Sequence, residues 1–174
     1  MPDEAAKALG LTDSDRVLAW SLLAGGGAAA ATVDGLRIIT HRGKLISREW
    51  LEVDHAAWDQ DSAMLAVWWV GSRQTTPVEI VDDEGRLPEV VRERVQSSVV
   101  LTTEVPLPGG RTGKVVLRRG PDGRLVTQNV LPPGVKADAP GVGQRLERAA
   151  AELRSEAGLR GPGAGLQDGP PSIR

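Results

Sequence analysis

The side chains with the most chemical reach are two histidines and the carboxylates near one of them. His55 follows Asp54 and precedes Asp59 and Asp61, a grouping able to supply an imidazole and carboxylate pair for acid–base work or weak metal ligation. The surrounding spacing has neither a helical H-E-x-x-H pair nor the third member of a hydrolytic triad, so these residues read as ordinary strand and turn positions. His41 stands apart. Asp59-x-Asp61 and Asp82-Asp83-Glu84-Gly85 resemble fragments of calcium loops without the further oxygens and closing glutamate that such loops need, and read as turn carboxylates left in water. Ser72 follows Gly71, but Gln74 stands where a nucleophile elbow requires its second glycine. Gly141-Val142-Gly143-Gln144-Arg145-Leu146 imitates G-x-G-x-x-G, lacks the last glycine and follows a proline-rich stretch instead of a strand. With no cysteine there is no disulfide, thiolate nucleophile, thiolate metal site or iron–sulfur cluster, a composition suited to a reducing compartment. The expectation is a non-enzymatic chain with no catalytic residue, no cofactor and no metal.

Charge is distributed more informatively than chemistry. The 23 acidic and 21 basic residues leave a net charge of -2, which argues against a protein built wholly around a polyanion. Residues 49 to 84 nevertheless hold nine acidic residues and one basic, a net of -8, while residues 86 to 124 hold eight basic and four acidic, a net of +4. Arg111, Lys114, Arg118, Arg119 and Arg124 gather about the two turns of one expected hairpin, where they could meet phosphates of nucleic acid, an anionic lipid surface or an acidic partner. The plainer explanation is charge placed on hairpin tips for solubility. All five tryptophans lie at or before position 69, so the basic stretch lacks the stacking platform of single-strand binders. Of the adjacent Trp68 and Trp69, one must point away from the local core. The outward ring is expected to be covered by the last helix, with Leu146, Ala149 and Leu153 as the cover; left exposed, it would be an anchor for a partner, and Trp69 is the residue named for that role.

These side chains must be carried by elements that the sequence pattern predicts. At 174 residues, with 40% apolar and 25% charged residues, the chain is ordinary globular material of about one domain with an appendage. Its aromatic residues are five tryptophans with no phenylalanine or tyrosine, and 17 of 21 basic residues are arginine, as GC-rich coding produces. No apolar stretch is long enough for a spanning helix or shaped like a secretory signal, and a cytoplasmic location is expected. A short helix is predicted over 3 to 9. Strands follow at 17 to 24, 27 to 33, 36 to 41, 44 to 48, 51 to 57, 63 to 70 and 76 to 82, divided by turns such as Asp34-Gly35 and Gly71-Ser72-Arg73. Leu87, Val90, Val91 and Val95 then adopt helical spacing, predicting a capping helix over 88 to 97. Strands return at 99 to 105, 114 to 119 and 124 to 130 around a Pro-Gly loop at 106 to 113, before a helix over about 141 to 157 and a Gly- and Pro-rich tail from 159 to 174.

Seven strands followed by a capping helix, with Ile46-Ser47-Arg48-Glu49-Trp50-Leu51-Glu52-Val53-Asp54 leading from one strand through a Trp-x-Glu-Val turn into the next and on to Trp58-Asp59, resemble bacterial PH-like and GRAM-like domains, and small high-GC actinobacterial proteins of this layout. The resemblance covers residues 16 to 97. It implies a PH-like, strongly bent antiparallel sheet of about seven strands, barrel-like and closed by a helix; residues 99 to 157 depart from that family, and the whole is expected to be an α+β chain with a β-hairpin extension and C-terminal helix added. The expected divisions are a lead-in at 1–15, the PH-like domain at 16–97, the extension at 98–158 and the tail at 159–174. Such scaffolds bind phosphoinositides, peptides or proteins; phosphoinositide binding in that family needs a basic first hairpin, and Leu23-Ala24-Gly25-Gly26-Gly27-Ala28 carries no charge. The expected function is protein binding, to another protein or to a second copy of the chain, with nucleic acid or anionic lipid at the 111–124 hairpin as the alternative.

Overall fold

Alanine is a weak strand former, yet a strand made of little else lies at the centre of the first half of the molecule. A computed structural model describes residues 1–72, 74–81 and 86–158. After a short helix α1 (Asp3–Ala8), the strands β1 (Val17–Leu23), β2 (Gly27–Thr32), β3 (Gly35–Ile39) and β4 (Leu45–Glu49) pair antiparallel in sequence order. All six residues of β2, Gly-Ala-Ala-Ala-Ala-Thr, are buried. Ala29 and Ala31 face the main core, whereas Ala28 and Ala30 lie on the other side against the fully buried Leu9. A strand of methyl groups lets apolar layers close down on both its faces.

The layer on the outer face is the chain's own beginning. Leu9 packs there with Ala5, Leu11, Val17, Trp20 and Ile39 around it. Arg37 of β3 holds the segment down: its guanidinium donates to the carbonyls of Leu9 and Gly10 and pairs with Asp15 at 2.6 Å. Gly10 takes a positive φ of 64° to make the turn.

Between β4 and the next strand, Trp50–Glu52 forms a single 3-10 turn, closed by reciprocal bonds between Glu49 and Glu52. The buried Trp50 indole donates from Nε1 to the carbonyls of Thr32 and Val33, at 3.0 and 3.1 Å. The corner after β4 is thereby locked onto the β2–β3 turn. Beyond it β5 (Val53–Asp59), β6 (Met64–Trp69) and β7 (Thr75–Glu79) make a second antiparallel sheet, again in sequence order. The 3-10 turn delays β5 by two residues relative to the sequence expectation.

The seven strands therefore form sheets of four and three, not one bent sheet, and among the described residues there is no closed barrel. The two sheets touch along the backbone at the bridge Leu23 to Ile80, flanked by hydrogen bonds from Ala24 N–H to the Glu79 carbonyl and from Val81 N–H to the Leu22 carbonyl. Their shared core contains Leu23, Leu36 and Ile38 from one side and Val53, Leu65, Val67 and Val78 from the other. Helix α2 (Leu87–Ser98) adds Leu87, Val91 and Val95, one stripe at helical spacing.

The chain divides into two compact units between Ser97 and Ser98. In the second, β8 (Val99–Leu107), β9 (Arg111–Arg119) and β10 (Leu125–Val130) form a sheet in the order β10-β9-β8. The stretch expected as a loop at 106 to 113 is mostly strand; only Pro108-Gly109-Gly110 turns, with φ of 77° and 69° at the glycines. Helix α3 (Gly143–Glu156) lays Leu146, Ala149, Ala150 and Leu153 on Val105, Leu107, Val115 and Leu117. Its apolar stripe thus serves this unit's own core, a correction to its expected role as cover for the outward tryptophan. The segments 82–85 and 159–174 and Arg73, which carried the calcium-like fragment, the tail and part of a turn, lie outside the described residues.

Two measurements check this packing. A Cβ on Gly35 would stand 2.0 Å from the Arg48 carbonyl oxygen across the β3–β4 pair, so Gly35→Ala should lower stability in urea unfolding by about 1–3 kcal/mol. Asp15 accepts bonds from the backbone and hydroxyl of Thr12 and lies beside Arg37, which together hold its carboxyl below the ordinary aspartate range. Its stabilising effect is complete above the unfolded value of about 3.9 and is lost as pH falls through the lower folded value, because the unfolded chain then binds the extra proton. Protection of the Leu9 and Leu11 amides, relative to their intrinsic exchange rates, should therefore fall below about pH 4, and Asp15→Asn should show that loss of protection already at neutral pH.

Candidate functional site

Alternation along β5, β6 and β7 puts Val53, Leu65, Val67 and Val78 inward, and the residues between them outward. Three rows result. His55, Trp68 and Thr75 lie opposite one another in register, then Ala57, Ala66 and Pro77, then Asp59, Met64 and Glu79. His55, Ala57, Asp59, Thr75, Pro77 and Glu79 are exposed, and Met64, Ala66 and Trp68 are partly so. The face consists of an aromatic row, a low floor of small residues and an acidic row. β7 is one of the two outer strands of this sheet, and Pro77 takes a donor out of its edge.

The outward ring is Trp68, not Trp69. Trp69 packs against the core of the first unit and donates from its indole to the Thr76 hydroxyl at 2.7 Å. Trp68 is stacked by the His55 imidazole, with ring centroids 4.3 Å apart and planes 13° from parallel. A bulge at Asp54 interrupts the register between Val53 and His55, and the Asp54 carboxylate lies 2.8 Å from His55 Nδ1. The histidine considered for acid–base chemistry is thus a surface partner of an indole. The signal for Trp68 is present in the sequence: Leu65 and Val67 are large and Ala66 small, which assigns odd positions to the core and leaves Trp68 outside.

At the far end of the face, Asp59 builds a turn. It accepts from the Ser62 hydroxyl at 2.8 Å and the Asp61 N–H at 3.1 Å, and these bonds hold its carboxyl below the usual aspartate range, so it is ionised at neutral pH. Among the described residues no three His, Cys, Asp or Glu side chains converge as a metal site. No described helix is long and apolar enough to cross a membrane.

The basic hairpin is dispersed. Along β9, Arg111 and Arg119 share the side of Val115 and Leu117, which faces α3, while Lys114 and Arg118 belong to the opposite side. Arg118 is only 2% exposed; its Nε donates to Ser98 Oγ at 2.8 Å and its Nη1 to Gln128 Oε1 at 3.3 Å. Lys114 faces Glu104 of β8 at 3.7 Å, Arg124 lies 3.8 Å from Asp122, and Arg111 donates to the Pro133 carbonyl. Of the five, Arg118 is withdrawn from solvent, and the rest do not assemble one surface. Linear clustering concealed this because period-2 geometry sends neighbours to opposite faces.

Comparison of the chain with protein-family models, with curated proteins and with solved structures finds no match.

The burial of Arg118 separates it sharply from its neighbour. Arg118→Ala should reduce stability by about 2–4 kcal/mol, as loss of a buried hydrogen-bonded charge does, whereas exposed Arg119→Ala should stay within about 0.5 kcal/mol of the parent. Thermal and urea melts of the two variants decide this; equal, small effects would return Arg118 to the surface.

Proposed function

We propose that the chain is a non-catalytic interaction module whose first unit is PH-like and docks another protein on the outward face of β5–β7. One observation carries the reading: Trp68, an aromatic ring stacked by His55, stands on a partly exposed sheet face beside a row of the small residues Ala57, Ala66 and Pro77. Tryptophans surrounded by small or weakly interacting residues are the common anchors of protein interfaces. The PH-like assignment is supported by the order of four strands, three strands and a helix whose Leu87, Val91 and Val95 enter the core between them. Fold alone names no ligand, so the function is argued from the face.

Phosphate binding by the 111–124 hairpin has less support. It needs several cations on one surface, and the alternation of β9 divides them.

The test is affinity capture by the tagged full chain from lysate of its own organism, nuclease-treated, with the parent and Trp68→Ser run in parallel. A discrete protein held by the parent and reduced at least about fivefold by Trp68→Ser is expected, as removal of an interface anchor costs about 1 kcal/mol or more. Capture that Trp68→Ser leaves unchanged, or recovery of nucleic acid alone from untreated lysate, overturns the proposal.

A further inference from the structure

The same face has a charge that restricts what can lie on it. Between Glu49 and Val81 the chain carries six acidic residues and one basic, Arg73. Three of the acids border this face: Asp54 beside the aromatic row, and Asp59 and Glu79 flanking Met64 in the last row. Glu52, by contrast, is engaged by Arg48 at 2.7 Å. The aromatic and acidic rows are four residues apart along the strands, about 13 Å at strand rise, with Ala57, Ala66 and Pro77 forming the lower ground between them.

We infer that the segment docking on this face is cationic: an extended stretch of a partner protein with Arg or Lys at two positions four residues apart and an aliphatic side chain midway. This rests on the reading of the face as a docking surface. A cation at the aromatic row meets the electron-rich surface of the stacked Trp68 and His55 rings, with the Asp54 carboxylate on the His55 side of that stack. The second cation falls between Asp59 and Glu79, with its methylene stem over Met64. The midway side chain sits over the three small residues, where a longer host side chain would leave no room. In an extended segment, positions one, three and five project to the same side, so the spacing matches without distortion. An acidic partner, or a second copy presenting this same face, meets like charge.

The experiment uses the full chain labelled with 15N at low salt. Capped pentapeptides Arg-Thr-Leu-Thr-Arg and Glu-Thr-Leu-Thr-Glu are titrated to millimolar concentration. The expected result is a shift of the Trp68 indole N–H and of the Ala57, Ala66 and Glu79 amides with the first peptide and not the second, with the Trp50 indole unmoved. The double variant Asp59→Lys, Glu79→Lys should bind the basic peptide about tenfold more weakly, with the Trp50 and Trp69 indole signals reporting an intact core. Equal response to the two peptides, no response at Trp68, or undiminished binding by the double variant overturns the inference. The two readings fail differently. A protein captured through Trp68 that holds the double variant as tightly as the parent removes the cationic partner and keeps the docking face. Capture indifferent to Trp68→Ser removes both. Self-association in sedimentation velocity, abolished by Trp68→Ser, identifies the occupant as a second copy and also overturns the cationic segment.

Discussion

Strand β2 has water on neither side, and this constrains everything built around it. One face must meet the core that both sheets of the first unit share, and the other must meet Leu9. Larger side chains on both faces would push these layers apart; four alanines let them approach. The loss in strand propensity is offset by complete pairing, since β2 lies between β1 and β3 and hydrogen-bonds to both. Trp50 continues the same economy of space, because its indole reaches the carbonyls at the end of β2 and ties the corner between sheets to that strand.

From this follows an asymmetry between the two sheets of the first unit. The outer face of the four-stranded sheet is covered by the N-terminal segment, clasped by Arg37. Among the described residues of the first unit, no such segment covers the outer face of the three-stranded sheet, where His55 stacks on Trp68. Within the described part of the first unit, the first eleven residues close one sheet face and the outward face of the other keeps exposed positions. That contrast, more than any single residue, directs attention to β5–β7.

Most of the elements were legible in the sequence because their causes are local. Alternation, Asp-Gly turns and the Leu87, Val91, Val95 spacing located ten strands and three helices to within a few residues. The exceptions are instructive. Trp50-Leu51-Glu52 is apolar enough to pass for the start of a strand, and only the reciprocal bonds of Glu49 and Glu52 turn it into a 3-10 corner that separates two sheets. The Pro-Gly run near 108 marked a turn but not how little of the chain that turn needs. The candidate site was less legible. Arg118 looks in sequence like its neighbours, and its burial depends on Ser98 and Gln128, partners 20 and 10 residues away. The choice between Trp68 and Trp69 was decided by strand parity, a signal present in Leu65, Ala66 and Val67 but readable only once those residues are taken as one strand.

Each three-stranded sheet has a proline in an outer strand, Pro77 in β7 and Pro106 in β8. A strand edge is a template: copies of a protein that meet edge to edge can continue each other's ladders and grow into filaments. Replacing one N–H by a pyrrolidine ring breaks the repeat that such growth requires. On these two edges a second copy would meet a missing donor, so a ladder begun there lacks one rung at each repeat.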